Sequence, residues 1–184
     1  MRGVFSDNAL FLRFGRSGLR FEITHEFDAP LDAVELAVLS PDLGVLMARA
    51  LSPLIESIET VEHVIDRGLF RRVLRFQANA PLPIFRDHDV AREAMSWEET
   101  SVYRLSDHAS SWSVTPREQY RRYLRSSGTY QLERAPDGRT RRRVVGDFEV
   151  KAGVLSRLIE RMALNEVRKT YDAEAATLRT LSTL

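Results

Sequence analysis

Cysteine is absent from the 184 residues, so no disulfide framework, thiolate nucleophile or thiolate metal ligand is available. Lysine is nearly absent: of 27 basic residues all but Lys151 and Lys169 are arginine, a bias that codon usage in a GC-rich genome explains more simply than phosphate recognition. Long apolar runs are missing as well. The longest, such as Ala9-Leu10-Phe11-Leu12 and Leu36-Ala37-Val38-Leu39, fall far below the roughly 20 residues that a membrane-crossing helix needs. The first eight residues contain Asp7 and polar groups where an export signal requires an unbroken apolar stretch, so a cytoplasmic location is expected. A net charge of +1 gives no overall bias toward nucleic acid. No glycine-rich loop joins a strand to a helix, and no serine sits in a nucleophile elbow.

What is present is ordinary globular chemistry, with 43% hydrophobic and 29% charged residues. The length suits a single domain. Residues 19–184 are expected to form it, with 1–18 an extension in which Phe11, Leu12 and Phe14 either add an edge strand or lie outside.

Leu19 to Phe27 alternates apolar and polar residues, with His25 alone breaking the apolar face, and predicts a half-buried strand. Two short helices should follow, Leu31 to Leu39 with Asp28 or a neighbour as cap, and a second from Leu43 ended by Pro53. Ile58 to Ile65 predicts a strand that turns back through Asp66-Arg67-Gly68. In the returning strand Phe70, Leu74, Phe76 and Ala78 alternate, interrupted on their face by Arg72, until Pro81-Leu82-Pro83 closes it. Ile84 to Ala94 reads as a short helix or a loop. Further strands are expected over Met95 to Leu105, Ser111 to Thr115, Thr129 to Arg134 and Arg141 to Val150, the last two joined by Ala135-Pro136-Asp137-Gly138. Gln119 to Arg125 is a candidate for one more. From Gly153 a long helix is expected, its stripe formed by Leu155, Ile159, Ala163, Val167, Tyr171, Ala175 and Leu178.

An antiparallel sheet of about six or seven strands must curl, and the final helix is the element large enough to fill its concave face. A helix laid across a bowl leaves room at one end, typically an apolar cavity. This order of an α+β fold, with Phe27-Asp28-Ala29-Pro30-Leu31-Asp32-Ala33-Val34 entering a short helix, resembles the START-like (SRPBCC, helix-grip) superfamily over nearly the whole chain. Trp97-Glu98-Glu99, Gly128-Thr129-Tyr130 and Gly146-Asp147-Phe148-Glu149-Val150 resemble an uncharacterised bacterial branch of it. The resemblance implies binding or transport of a hydrophobic molecule of the lipid, sterol or polyketide class; a minority of relatives are cyclases or hydroxylase components. It assigns no catalytic residue and implies no cofactor.

Candidate ligand-contacting residues are His25, Arg72, Phe76, Trp97, Glu99, Tyr103 and Phe148, each on a face that should point inward. His25 is either a hydrogen-bonded core histidine or a group that orients a ligand. Arg72 and Glu99 are expected to need each other or a ligand if both are buried. Asp87-His88-Asp89 has poor spacing for a metal, because adjacent side chains diverge. Nine arginines between Arg117 and Arg143 face only Glu118, Glu133 and Asp137 within that segment. The ordinary explanation is a solvated rim; the sharper expectation is transient contact with an anionic membrane through Arg117, Arg121, Arg122, Arg139, Arg141, Arg142 and Arg143. Nucleic acid is not an expected partner, since no reading motif accompanies the charge. The leading function is thus noncatalytic binding of an apolar ligand. A polyketide cyclase or aromatase, and a structural interaction module with a filled core, are the alternatives.

Overall fold

Alternation in Leu19–Phe27 (β1) sends Phe21, His25 and Phe27 inward and leaves Arg20, Glu22 and Glu26 in solvent. The computed structural model describes residues 18–52, 54–79, 96–151 and 156–183. After β1 come Leu31–Leu39 (α1), Leu43–Ala50 (α2), Ile55–Asp66 (β2), Leu69–Ala78 (β3), Ser96–Arg104 (β4), Ala109–Pro116 (β5), Leu124–Arg134 (β6), Thr140–Val150 (β7) and Ser156–Leu181 (α3). All neighbouring strands are antiparallel, in the order β1-β7-β6-β5-β4-β3-β2. The six strands after α2 form a meander, and α1 and α2 carry the chain between the two sheet edges. This is the α+β helix-grip architecture.

The local reasons are visible in the turns. Arg67 and Gly68 both have positive φ, 47° and 79°, as a tight hairpin between right-twisted strands demands. Pro30, rather than Asp28, occupies the cap of α1, and its carbonyl accepts from Ala33 and Val34 at 3.1 and 3.2 Å. The candidate strand over Gln119 to Arg125 is instead a 3-10 turn, Glu118–Tyr120, followed by the start of β6. Its amides bond backward, Tyr120 N–H to the Arg117 carbonyl and Tyr123 N–H to that of Tyr120, so they cannot serve a ladder.

The expectations for Phe11, Leu12, Phe14, Pro53, Pro81-Leu82-Pro83, Ile84 to Ala94, Asp87-His88-Asp89, Met95, Gly153, Leu155 and the side chain of Ile159 lie outside the described residues. The 26 residues of α3 make a rod of about 40 Å. Its backbone comes closest to β1, β7, α1 and α2, and its Ala175 and Leu178 are fully buried. With Phe27, Val34, Val38, Leu43, Phe70, Leu74 and Leu132 they make a core at the helical end of the bowl.

Gly128 and Gly146 oppose one another across β6 and β7 on the concave face. A methyl group on Gly146 would stand 2.5 Å from the Phe21 ring and 2.7 Å from that of Trp112. The missing side chains let these two rings lie against the sheet, where Tyr171 of α3 joins them at centroid distances of 6.3 and 6.0 Å.

Candidate functional site

Strand register sets the concave face in rows. Phe70, Tyr103, Ser110, Tyr130, Val144 and Ile23 stand successively opposite one another, and the next row runs Arg72, Ser101, Trp112, Gly128, Gly146 and Phe21. Leu74, Glu99, Val114, Ser126 and Phe148 make a third, and Phe76, Trp97 and Pro116 a fourth. All seven candidate ligand-contacting residues therefore belong to this face, or to the His25–Arg142 pairing beside it.

Their polar members are held by a network that joins strands to α3. Glu174 on α3 lies between two arginines, 2.6 Å from Arg142 Nη1 and 3.8 Å from Arg72 Nη2. Arg72 also donates to the Val38 carbonyl at 3.3 Å, and Arg142 to the Tyr171 carbonyl at 3.2 Å. The carboxylate in ion-pair reach of Arg72 is thus Glu174, not the Glu99 suggested by strand phase. Side-chain length explains the difference: Arg72 reaches up to the helix, whereas Glu99 stays down in the sheet's third row.

His25 uses both ring nitrogens. A guanidinium can only donate, so Nδ1 accepts from Arg142 Nη2 at 3.3 Å and Nε2 carries the proton toward Asp172 Oδ1 at 3.0 Å. Burial, the largest effect, lowers the His25 pKa below 6.5; Asp172 opposes it and Arg142 reinforces it. Tyr103 is equally committed. Its hydroxyl donates to Glu35 of α1 at 2.7 Å, and His108 Nδ1 meets the same carboxylate oxygen at 2.7 Å.

Glu99 differs from all of these. Among the described residues nothing hydrogen-bonds its carboxyl, and it lies deep in the molecule while keeping some accessible surface. Desolvation first, then the nearby charge of Glu174, pushes its pKa up to about 7 against the pull of Arg72 and Arg142. Trp112 Nε1 is likewise buried without an acceptor among the described residues. Phe76 is buried and stacks on Trp97 at 5.3 Å with planes 3° apart, and Phe148 is buried.

Arg142, Glu174, Tyr171, Trp112 and Asp172 are not among the candidate ligand-contacting residues read from the sequence. Arg142 shares the even-numbered phase of Val144 and Phe148, and Glu174 stands three residues after Tyr171 on the helical stripe, so both signals were present. The surface role expected for Arg142 is overturned by its 1% exposure. Nor are its neighbours unbalanced. Arg143 pairs with Glu22 at 2.7 Å, Arg141 with Glu26 at 3.0 Å, and Arg139 with Asp137 at 2.7 Å. Most of these acids come from β1, which lies beside β7 in space but more than 100 residues earlier in the chain. Among the described residues no three histidine, aspartate or glutamate side chains gather as a metal ion would require, and no helix is long and apolar enough to cross a membrane.

A family model described as a protein of unknown function (DUF2505) matches residues 22–181. The chain belongs to the DUF2505 family. The DUF2505 match runs from within β1 to the end of α3, so it covers the bowl, its helix and every candidate residue above. No curated protein matches this sequence. Among solved structures, the chain is similar to the Zhui aromatase/cyclase from Streptomyces sp. R1128, with a TM-score of 0.61 and 16% identity over 90% of this chain and 94% of that one. It is similar to TTHA0849 from Thermus thermophilus, with a TM-score of 0.60 and 16% identity over 87% and 97%. Ara h 8.0201 gives a TM-score of 0.58 and 17% identity over 89% and 99%. At such identities the likeness is one of fold alone, and the fold that this DUF2505 chain shares with them is the helix-grip architecture.

Proposed function

We propose that the protein binds a hydrophobic small molecule, of the lipid, sterol or polyketide class, between the concave face of the sheet and α3. One observation carries this reading. Among the strands, the backbone of α3 approaches β1 and β7 most closely, while the inward-facing Trp97, Val114 and Leu124 on β4, β5 and β6 keep accessible surface on the side that should be core. Uncovered apolar area of this kind costs about 25 cal/mol per Å², so a ligand that covers it gains affinity without rearranging the fold. Glu99 and Trp112 Nε1 supply a carboxyl and a donor in neighbouring rows that have no hydrogen-bond partner among the described residues, which suits a mainly apolar ligand bearing one hydroxyl or carbonyl. The fold shared with an aromatase/cyclase is compatible with such a ligand.

The test is organic extraction of the natively purified protein followed by mass spectrometry, with titration of a fluorescent sterol and a fluorescent fatty acid. An equimolar apolar compound, or saturable one-to-one binding, is expected. Clean extracts together with no binding of either probe at about micromolar concentration would remove the reading.

A second reading, catalysis of the cyclase kind, is favoured by the Glu99 carboxyl, whose pKa of about 7 suits proton transfer near neutrality. The two separate on the Glu99→Gln variant. A binder returns its extracted ligand chemically unchanged with either protein; an enzyme converts it with the wild type and not with the variant.

A further inference from the structure

A second feature touches the same interior from outside. At the far end of β4 and β5 a half-open groove of about 370 Å³ is bordered by Arg75, Trp97, Pro116, Arg117 and Arg121. Its three arginines are not equivalent. Arg75 is neutralised by Glu59 at 3.0 Å and Glu98 at 2.8 Å. Arg117 is held through Nε by the Ser96 hydroxyl at 2.7 Å, and Arg121 through Nε by the Pro116 carbonyl at 3.3 Å. Neither has a carboxylate within ion-pair distance among the described residues, although Glu118 also lines the groove. Arg139, Arg141 and Arg143, on β7 or in the turn before it, all have one. Two guanidinium forks are therefore pre-oriented by contacts that leave their outer nitrogens available, an arrangement suited to a carboxylate or phosphate.

Trp97 and Pro116 are the apolar residues of the groove's lining, beside Ser96, Glu98, Thr115 and Gln119. Trp97 and Pro116 face each other across β4 and β5, in the row that ends on Phe76, against which Trp97 stacks. Trp97 thus borders both the charged groove and the concave face. A ligand spanning the two has an anionic head and an apolar body.

We infer that the ligand is an anionic amphiphile, its head group seated between Arg117 and Arg121 and its tail passing Trp97 into the bowl. The inference rests on the internal-binding reading and narrows it. Both arginines are exposed, so their substitution leaves the core untouched.

The test compares palmitate with the uncharged alcohol of the same chain length, by displacement of a bound fluorophore, on the full chain. Wild-type protein is expected to prefer the acid by about ten-fold or more at low salt, with the preference shrinking as salt is raised. The Arg117→Gln/Arg121→Gln double variant should bind the acid about ten-fold more weakly, approaching the alcohol, while Arg143→Gln, whose side chain points to the outer face, retains the preference. Equal affinity for acid and alcohol in the wild type, or a preference that survives the double variant, overturns the inference yet leaves internal binding standing. If neither amphiphile displaces the fluorophore, the inference also falls, and a sterol titration then decides whether the internal-binding reading falls with it.

Discussion

Arg142 on β7 and Glu174 on α3 meet at 2.6 Å with side-chain exposures of 1% and 11%, which fastens the closing helix to the sheet through a buried charge pair. Glu174 serves Arg72 as well. Removing the carboxylate leaves two buried guanidinium groups with no carboxylate in ion-pair reach among the described residues. Glu174→Ala is therefore expected to lower stability by about 3–5 kcal/mol, read as a fall in the urea midpoint. A loss below about 1 kcal/mol would mean that water compensates both arginines, contrary to their burial.

Glu99 should make stability depend on pH in an unusual direction. Its pKa in the fold, about 7, lies above its ordinary 4.5, so the folded protein favours the protonated form. That contribution is complete below the ordinary value and is lost as pH rises through about 7. Glu99→Gln removes the titration. Denaturant midpoints at about pH 5 and about pH 8.5 should show the wild type losing ground to the variant on the alkaline side; parallel behaviour would refute the shift.

His25 works in the opposite sense. Burial lowers its pKa from 6.5, so its contribution is present above that value and is lost as pH falls through the lower, folded one. The imidazole resonances of His25 should titrate below the ordinary histidine range in a folded sample. His25→Gln should flatten the acid limb of the stability curve, since the amide keeps a donor toward Asp172 without acquiring charge.

Gly146→Ala tests how the aromatic rings are seated. The new methyl group meets Phe21 and Trp112, neither of which can swing away easily from beneath Tyr171. A destabilisation of about 1–3 kcal/mol is expected, with an altered near-ultraviolet circular dichroism signal from Trp112. An unchanged spectrum and midpoint would show that the rings are free to shift.

Alternation and helical periodicity by themselves determined the order of elements, the inward face of most strands and the need for a curled sheet, because a side chain's direction follows from local backbone geometry; in β2 they did not, since Val61, Val64 and Ile65 are exposed. Those phases placed Phe76, Trp97, Glu99, Tyr103 and Phe148 on one face before any coordinates, and they also put Arg142 there, although its neighbours Arg141 and Arg143 made the run look like surface. What periodicity cannot supply is a partner distant in the chain. Glu174 claims Arg142 across 32 residues, and Glu22 claims Arg143 across 121. Only the tertiary structure decided that most of the apparent basic patch is neutral, that His25 is fully bonded, and that Glu99 is left without a partner among the described residues. Those outcomes depend on which elements adjoin in space and how far each side chain reaches.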